Sequence, residues 1–151
     1  MRGKGSTILL VEDDRNDAMF MKMAFESAGV TGNLQEVRDG KEALEYLKGE
    51  GQFADRETHP LPYLLLLDLK LPHVMGMDVL KWVRQQPELN GVVVLVLTSS
   101  SNPAEIDTAY RLGANAFLVK PSSFQELQVM AQTIKDFWLV QNQPAPAFQE
   151  V

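Results

Sequence analysis

Five short apolar runs, each closed by polar or charged residues, set the rhythm of this chain. They are Ile8-Leu9-Leu10-Val11, the weaker Leu34 to Val37, Tyr63 to Leu67, Val92 to Leu97, and Ala116-Phe117-Leu118-Val119. Runs this short read as strands rather than membrane spans. Between them apolar residues recur at helical spacing. The sets are Phe20, Met21, Ala24, Phe25 and Ala28; Ala43, Leu44 and Leu47; Val79, Leu80 and Val83; Ile106, Ala109 and Tyr110; and Leu127, Met130, Ala131, Ile134, Phe137 and Trp138.

Local signals punctuate the pattern. Asp14 or Asn16 can cap the first helix and Gly29 stops it. Asp39-Gly40 reads as a turn, and Gly49 ends the second helix. The third ends before Pro87. Asn102-Pro103 starts the fourth, with the cap residue first and proline at the first helical position, and Gly113 ends it. Ser123-Phe124-Gln125-Glu126 is a capping box for the last. Glu50 to Leu61 is polar and aperiodic, a long loop. From Gln141 onward Pro144 and Pro146 predict a frayed tail.

Strands with no polar alternation belong to parallel sheets covered on both faces. Strand then helix, five times over, predicts such a sheet with right-handed crossovers and helices on both sides. The fold class is therefore α/β.

Composition narrows the function. A chain of 151 residues suits one domain. Its net charge of −6 argues against a nucleic-acid surface. With no cysteine there is no disulfide or thiolate site, and His59 and His73 are too few for a histidine-rich zinc centre. Both read as ordinary loop residues. No stretch reaches membrane-spanning length, and Met1 to Thr7 lacks a signal-peptide core. The expected setting is the cytoplasm.

Ligands of open parallel sheets bind at the carboxyl ends of the strands. Here the first strand ends in Glu12 and Asp13, the third in Asp68, the fourth in Thr98, and the fifth in Lys120. Singly, each has an ordinary explanation as a cap, a turn or a surface residue. Jointly they put three carboxylates, one ammonium and one hydroxyl in one cleft. Carboxylates at close range repel, and Mg²⁺, a hard cation bound through oxygen, is the natural remedy. A carboxylate beside Mg²⁺ and a lysine can attack a phosphoryl group and become an acyl phosphate. The metal, Lys120 and the Thr98 hydroxyl would each cover one equatorial oxygen.

The set Leu10-Val11-Glu12-Asp13, Leu67-Asp68-Leu69-Lys70-Leu71-Pro72 with Gly76, Leu97-Thr98-Ser99, and Phe117-Leu118-Val119-Lys120-Pro121 closely resembles the receiver domain of bacterial two-component response regulators. The resemblance covers about Thr7 to Val140. It implies a doubly wound five-stranded sheet of order 2-1-3-4-5. Asp68 would be the phosphoacceptor. Asp13 would bind Mg²⁺ directly, Glu12 through water, and the Lys70 backbone carbonyl would be a further ligand. Thr98 would be the switch hydroxyl and Phe117 the aromatic that turns inward with it. Lys120 would pair with a phosphoryl oxygen, and the Lys120–Pro121 bond would be cis. Lys70 and Ser100 would tune the lifetime of the phosphoryl group.

A narrower resemblance rests on the 50–61 loop and the ending Asp136-Phe137-Trp138-Leu139. It is to the small regulators paired with cyanobacterial and other bacterial phytochromes. It implies a histidine kinase partner of phytochrome type and a homodimer through the last helix and last strand. Phe137, Trp138 and Leu139 are the candidate contacts. The run Phe137 to Val140 exceeds what one helix face can bury: either the helix end packs on the sheet edge or under the N-terminal strand, or the run marks a contact surface.

The expected organisation is a receiver domain over 6–140 and a flexible tail over 141–151, with no output domain. The leading function is a phosphorylation-controlled switch rather than an enzyme. The alternative is a constitutive interaction module of the same fold that never accepts phosphate. An aspartyl-phosphate phosphatase would want an acid two residues after the nucleophile, where Lys70 stands. A flavin-binding protein would want a phosphate loop where Glu12-Asp13-Asp14 would repel one.

Overall fold

A computed structural model describes residues 7–30 and 34–148. Residues 1–6, with the expected domain start at 6, and 149–151 of the tail lie outside the described residues. The strands are β1 (Ile8–Val11), β2 (Leu34–Val37), β3 (Leu64–Leu67), β4 (Val93–Thr98) and β5 (Ala116–Val119). The helices between and after them are α1 (Arg15–Ser27), α2 (Gly40–Lys48), α3 (Gly76–Gln85), α4 (Pro103–Arg111) and α5 (Phe124–Ile134). All strand pairs are parallel and the order is 2-1-3-4-5, as the resemblance implied.

The winding reverses direction after β2, so right-handed crossovers put the helices on opposite faces. α1 packs against α5, and α2 against α3. β1 and β3 lie between these layers and are buried throughout. β5 is the edge, and its residues are half-buried or exposed.

Register fixes where the strands stop. Val11 pairs with Val37 and with Leu67, Leu67 with Val96, and Thr98 with Val119. Two glycines permit close approach above these ends. A Cβ on Gly76 would lie 2.2 Å from the Asp68 carbonyl oxygen, and one on Gly40 would lie 2.0 Å from that of Val74. Neither position has room for a side chain.

Several expectations need correction. Asp39-Gly40 is a helix start, not a free turn: the Asp39 side chain accepts from the Glu42 N–H at 2.7 Å, and Gly40 is the first helical residue. Of the two cap candidates for α1, Asp14 holds the position and accepts from the N–H groups of Asn16 and Asp17. Phe20 and Tyr110, which share the helical spacing of buried neighbours and would by that spacing face the core, are 42% and 50% exposed. Each sits at the rim of its helical stripe. The 50–61 loop is anchored by a 3₁₀ turn at Gly51–Phe53 and by Arg56. The Arg56 guanidinium donates to the carbonyls of Tyr46, Leu47 and His59. That satisfies carbonyls the end of α2 would leave open.

α5 continues as a wider π-helical stretch over Lys135–Gln141. The widening changes which residues face inward. Leu139 is only 3% exposed, whereas Phe137 is 51% exposed. Leu139 is therefore core and cannot be a contact residue. Within the described part of the tail, Asn142 and Phe148 pack back on the domain. Phe148 is buried against Tyr63, with ring centroids 6.0 Å apart. The Asn142 side chain donates to the Tyr63 hydroxyl at 2.7 Å. Gly91 makes room for this packing, since a Cβ there would meet Ala145 at 2.7 Å.

Candidate functional site

Glu12, Asp68 and Lys120 each stand one position past a strand, yet remain hydrogen-bonded to the sheet. The Glu12 N–H donates to the Val37 carbonyl at 3.1 Å, and the Asp68 N–H to the Val11 carbonyl at 3.2 Å. The Lys120 N–H donates to the Thr98 carbonyl at 2.8 Å. Backbone ladders thus aim the side chains, which is how the sequence 'apolar run, then charge' becomes a site.

The Lys120 ammonium is the hub. It lies 2.5 Å from Glu12 Oε1, 2.8 Å from Asp68 Oδ2 and 3.0 Å from Asp17 Oδ2. Asp68 Oδ1 accepts from the Lys70 N–H at 3.1 Å, and Glu12 Oε2 from the Asp14 N–H at 3.1 Å. Glu12 and Asp68 are buried and Asp13 is exposed. One oxygen from each of the three lies within 4.8 Å of the others.

Burial pushes the Glu12 carboxyl up to about 7, even though the Lys120 and Asp14 hydrogen bonds pull it down. Burial also disfavours the Lys120 charge, but hydrogen bonds to Asp68 and Glu12 outweigh it and hold the lysine charged. A strained carboxylate group of hard oxygens, with one side open at Asp13, suits a small divalent cation.

Other sequence candidates fall in different places. Thr98 is fully buried, and its hydroxyl has no hydrogen-bond partner among the described residues. Phe117 is half-buried on β5 opposite Val96, two residues before the Val119 that pairs with Thr98. The Ser100 hydroxyl donates to the Glu105 carboxylate, in the first turn of α4, at 2.5 Å. The Lys120–Pro121 bond is not cis; it is trans, the isomer that X–Pro bonds ordinarily favour. Neither histidine joins the site. The His59 ring packs edge-on against Tyr46 and Phe53, and the His73 ring is 3.9 Å from Asp39.

Asp17 is the residue that reading the sequence missed. Strand ends drew attention, whereas Asp17 lies in the first turn of α1. Three residues past the Asp14 cap, an acid already has an ordinary place beside the positive end of the helix dipole, so its spacing carried no signal of a further role.

The sequence pattern of the response regulator receiver domain matches residues 8–132. The chain belongs to this family. As a receiver domain it is a phosphorylation-controlled switch of two-component signalling, and the constitutive-module alternative is not favoured. It is 41% identical over 141 residues to the probable methanogenesis regulatory protein FilR2 of Methanothrix harundinacea (strain 6Ac), covering 93% of this chain and 88% of that protein. It is 36% identical over 132 residues to the response regulator Rcp1 of Synechocystis sp. (strain ATCC 27184 / PCC 6803 / Kazusa), covering 87% and 88%. The crystal structure of Mn²⁺-bound Rcp1 superposes with a TM-score of 0.83 at 34% identity, covering 93% of this chain and 99% of that one. The phosphorylated cyanobacterial phytochrome response regulator RcpA gives a TM-score of 0.85 at 34% identity, covering 92% and 97%. No helix among the described residues of the receiver domain is long and apolar enough to cross a membrane.

Proposed function

We propose that Asp68 accepts a phosphoryl group from a histidine kinase, with Mg²⁺ held by Glu12, Asp13, Asp68 and the Lys70 backbone carbonyl. The observation that carries this reading is the Lys120 ammonium 2.8 Å from a buried Asp68 carboxylate, with two further acids close by. Mg²⁺ supplies neutralisation of charge on the transferring group. A carboxylate oxygen of Asp68 forms a bond to phosphorus as the phosphorus–nitrogen bond of the phosphohistidine breaks. The departing imidazole takes a proton from solvent. The Lys70 N–H keeps the other Asp68 oxygen in place. Lys120 moves from the carboxylate to a phosphoryl oxygen.

Thr98 then has a use for its unpaired hydroxyl, which donates to the phosphoryl group. Phe117, on the exposed edge strand, follows into the space released. Lys70 and Ser100 flank the site as lifetime-tuning residues, and the Ser100–Glu105 bond would hold the latter back until α4 shifts.

The kinase partner we favour is of phytochrome type, supported by the likeness to RcpA. The likeness to FilR2 leaves room for a kinase with another input. A homodimer through β5 and α5 is supported by an open apolar groove of about 920 Å³ lined by Leu118, Val119, Val129, Met130, Phe137 and Trp138. Val129 is 67% exposed there. Sedimentation should give a concentration-dependent dimer that Phe137→Ala weakens.

The deciding experiment is phosphotransfer from purified histidine kinases, phytochrome kinases included, and from acetyl phosphate with Mg²⁺. Wild type should gain one phosphoryl group and Asp68→Asn none. Labelling of Asp68→Asn would overturn the assignment.

A further inference from the structure

We infer that Asp17 is a positioning residue that holds the Lys120 ammonium over the site throughout phosphoryl transfer. The inference rests on the reading of Asp68 as acceptor. An ammonium has three N–H donors. In this receiver domain all three are taken by carboxylates: Glu12, Asp68 and Asp17. Two of those partners are committed elsewhere. Glu12 is a metal candidate, and Asp68 surrenders an oxygen to phosphorus. Asp17 is outside the group of acids that could share an ion, so it is free to serve the lysine alone.

Its placement fits that task. The Asp17 backbone N–H donates to the Asp14 cap at 3.0 Å, which fixes the turn that carries it. An acid in a first helical turn is favoured by the helix dipole whatever its rotamer. Here, however, the side chain reaches across to the loop after β5, to a residue 103 positions away in the chain. One turn further along α1, Phe20 tilts against Phe124 with ring centroids 6.0 Å apart. The two contacts close one seam between α1 and the start of α5. When Lys120 exchanges Asp68 Oδ2 for a phosphoryl oxygen, Glu12 and Asp17 retain its other two donors. Without Asp17 the lysine loses the tether that keeps it beside the phosphoryl path.

The charge of Asp17 works in the opposite direction, because it repels an anionic phosphodonor. The two effects can be separated. Asp17→Asn retains an acceptor oxygen and removes the charge, whereas Asp17→Ala removes both. With acetyl phosphate and saturating Mg²⁺, Asp17→Ala should slow phosphorylation about three- to tenfold, the equivalent of one partly exposed hydrogen bond to a charged group. Asp17→Asn should stay close to wild type or exceed it. In a Lys120→Ala background Asp17→Ala should no longer slow phosphorylation, since the tether acts only through Lys120, and loss of the charge should leave the rate equal or higher. A second readout does not need that background: the Lys120 ammonium protons, seen by nitrogen-15 NMR, should exchange faster with water in Asp17→Ala.

Unchanged or faster phosphorylation of Asp17→Ala would overturn the inference. So would an equal slowing with and without Lys120, or unchanged ammonium exchange. Failure of wild type to label at all would instead overturn the acceptor reading, so the two failures are distinguishable.

Discussion

β3 and β5 each deliver a residue to the same cleft, but by different physical means. β3 is four leucines, all buried, paired on both sides by β1 and β4. β5 has one neighbour, β4, and its residues are half-buried or exposed. Asp68 is thus carried by a fully buried inner strand, and Lys120 by an edge strand. The difference suits the proposed switch: the proposed acceptor is held still, and the ammonium that would follow it sits at an edge strand. Edge segments open at lower free energy than the buried centre.

The contrast should be visible in stability, and this is the largest effect expected here. Leu66→Ala deletes a side chain with no accessible surface and should destabilise by roughly 2–5 kcal/mol. Leu118→Ala on β5 removes a partly buried one and should stay below about 2 kcal/mol. Urea unfolding of both variants tests this. Equal losses would mean that the edge is as firmly held as the centre.

The same contrast governs what could be read from the sequence. The buried strands were legible because continuous apolar runs have few other homes, and Glu12, Asp68, Thr98 and Lys120 followed from where those runs stop. Fine placement was less legible. Phe20 and Tyr110 share the spacing of their buried neighbours, and only packing decides which side of the stripe is covered. Leu139 looked like part of an exposed run, yet the wider turn over Lys135–Gln141 rotates it inward. Phe148 lies beyond two prolines in a tail without periodicity, and only its contact with Tyr63 reveals its burial. Asp17 joins the site across 103 positions, a distance at which no local pattern operates.

Thr98 lies at the boundary between the two regions and sharpens the comparison. Its hydroxyl is buried without a partner, which disfavours the resting fold. Thr98→Val replaces it with a methyl of similar size. The unphosphorylated protein should become more stable by about 1 kcal/mol, read by thermal or urea unfolding. The same variant should still accept phosphate at Asp68 but lose the accompanying shift of β5, read by the NMR signals of Phe117. A destabilised variant would mean that the hydroxyl is already satisfied at rest.

The smallest effect concerns pH, and its sign follows from Glu12. Burial raises this carboxyl from 4.5 to about 7 in the folded protein. Between those two values the folded state binds more protons than the unfolded chain. Glu12 therefore weakens the fold progressively as pH rises through that window, with the full effect above about 7. Lys120 is raised, so its stabilisation persists at neutral pH and is lost only in strong alkali. Removing the carboxylate isolates the Glu12 effect. Without divalent cations, Glu12→Gln should gain on wild type in thermal midpoint as pH is taken from 5 to 8. Mg²⁺ should reverse that ranking, because the ionised carboxylate then has a cation to face. Its affinity for wild type should rise a few-fold per pH unit up to about 7 and then level off, because the ligand must shed its proton to bind. A Mg²⁺ affinity flat across this range would place Glu12 outside the ion's reach and leave it as a partner of Lys120 alone.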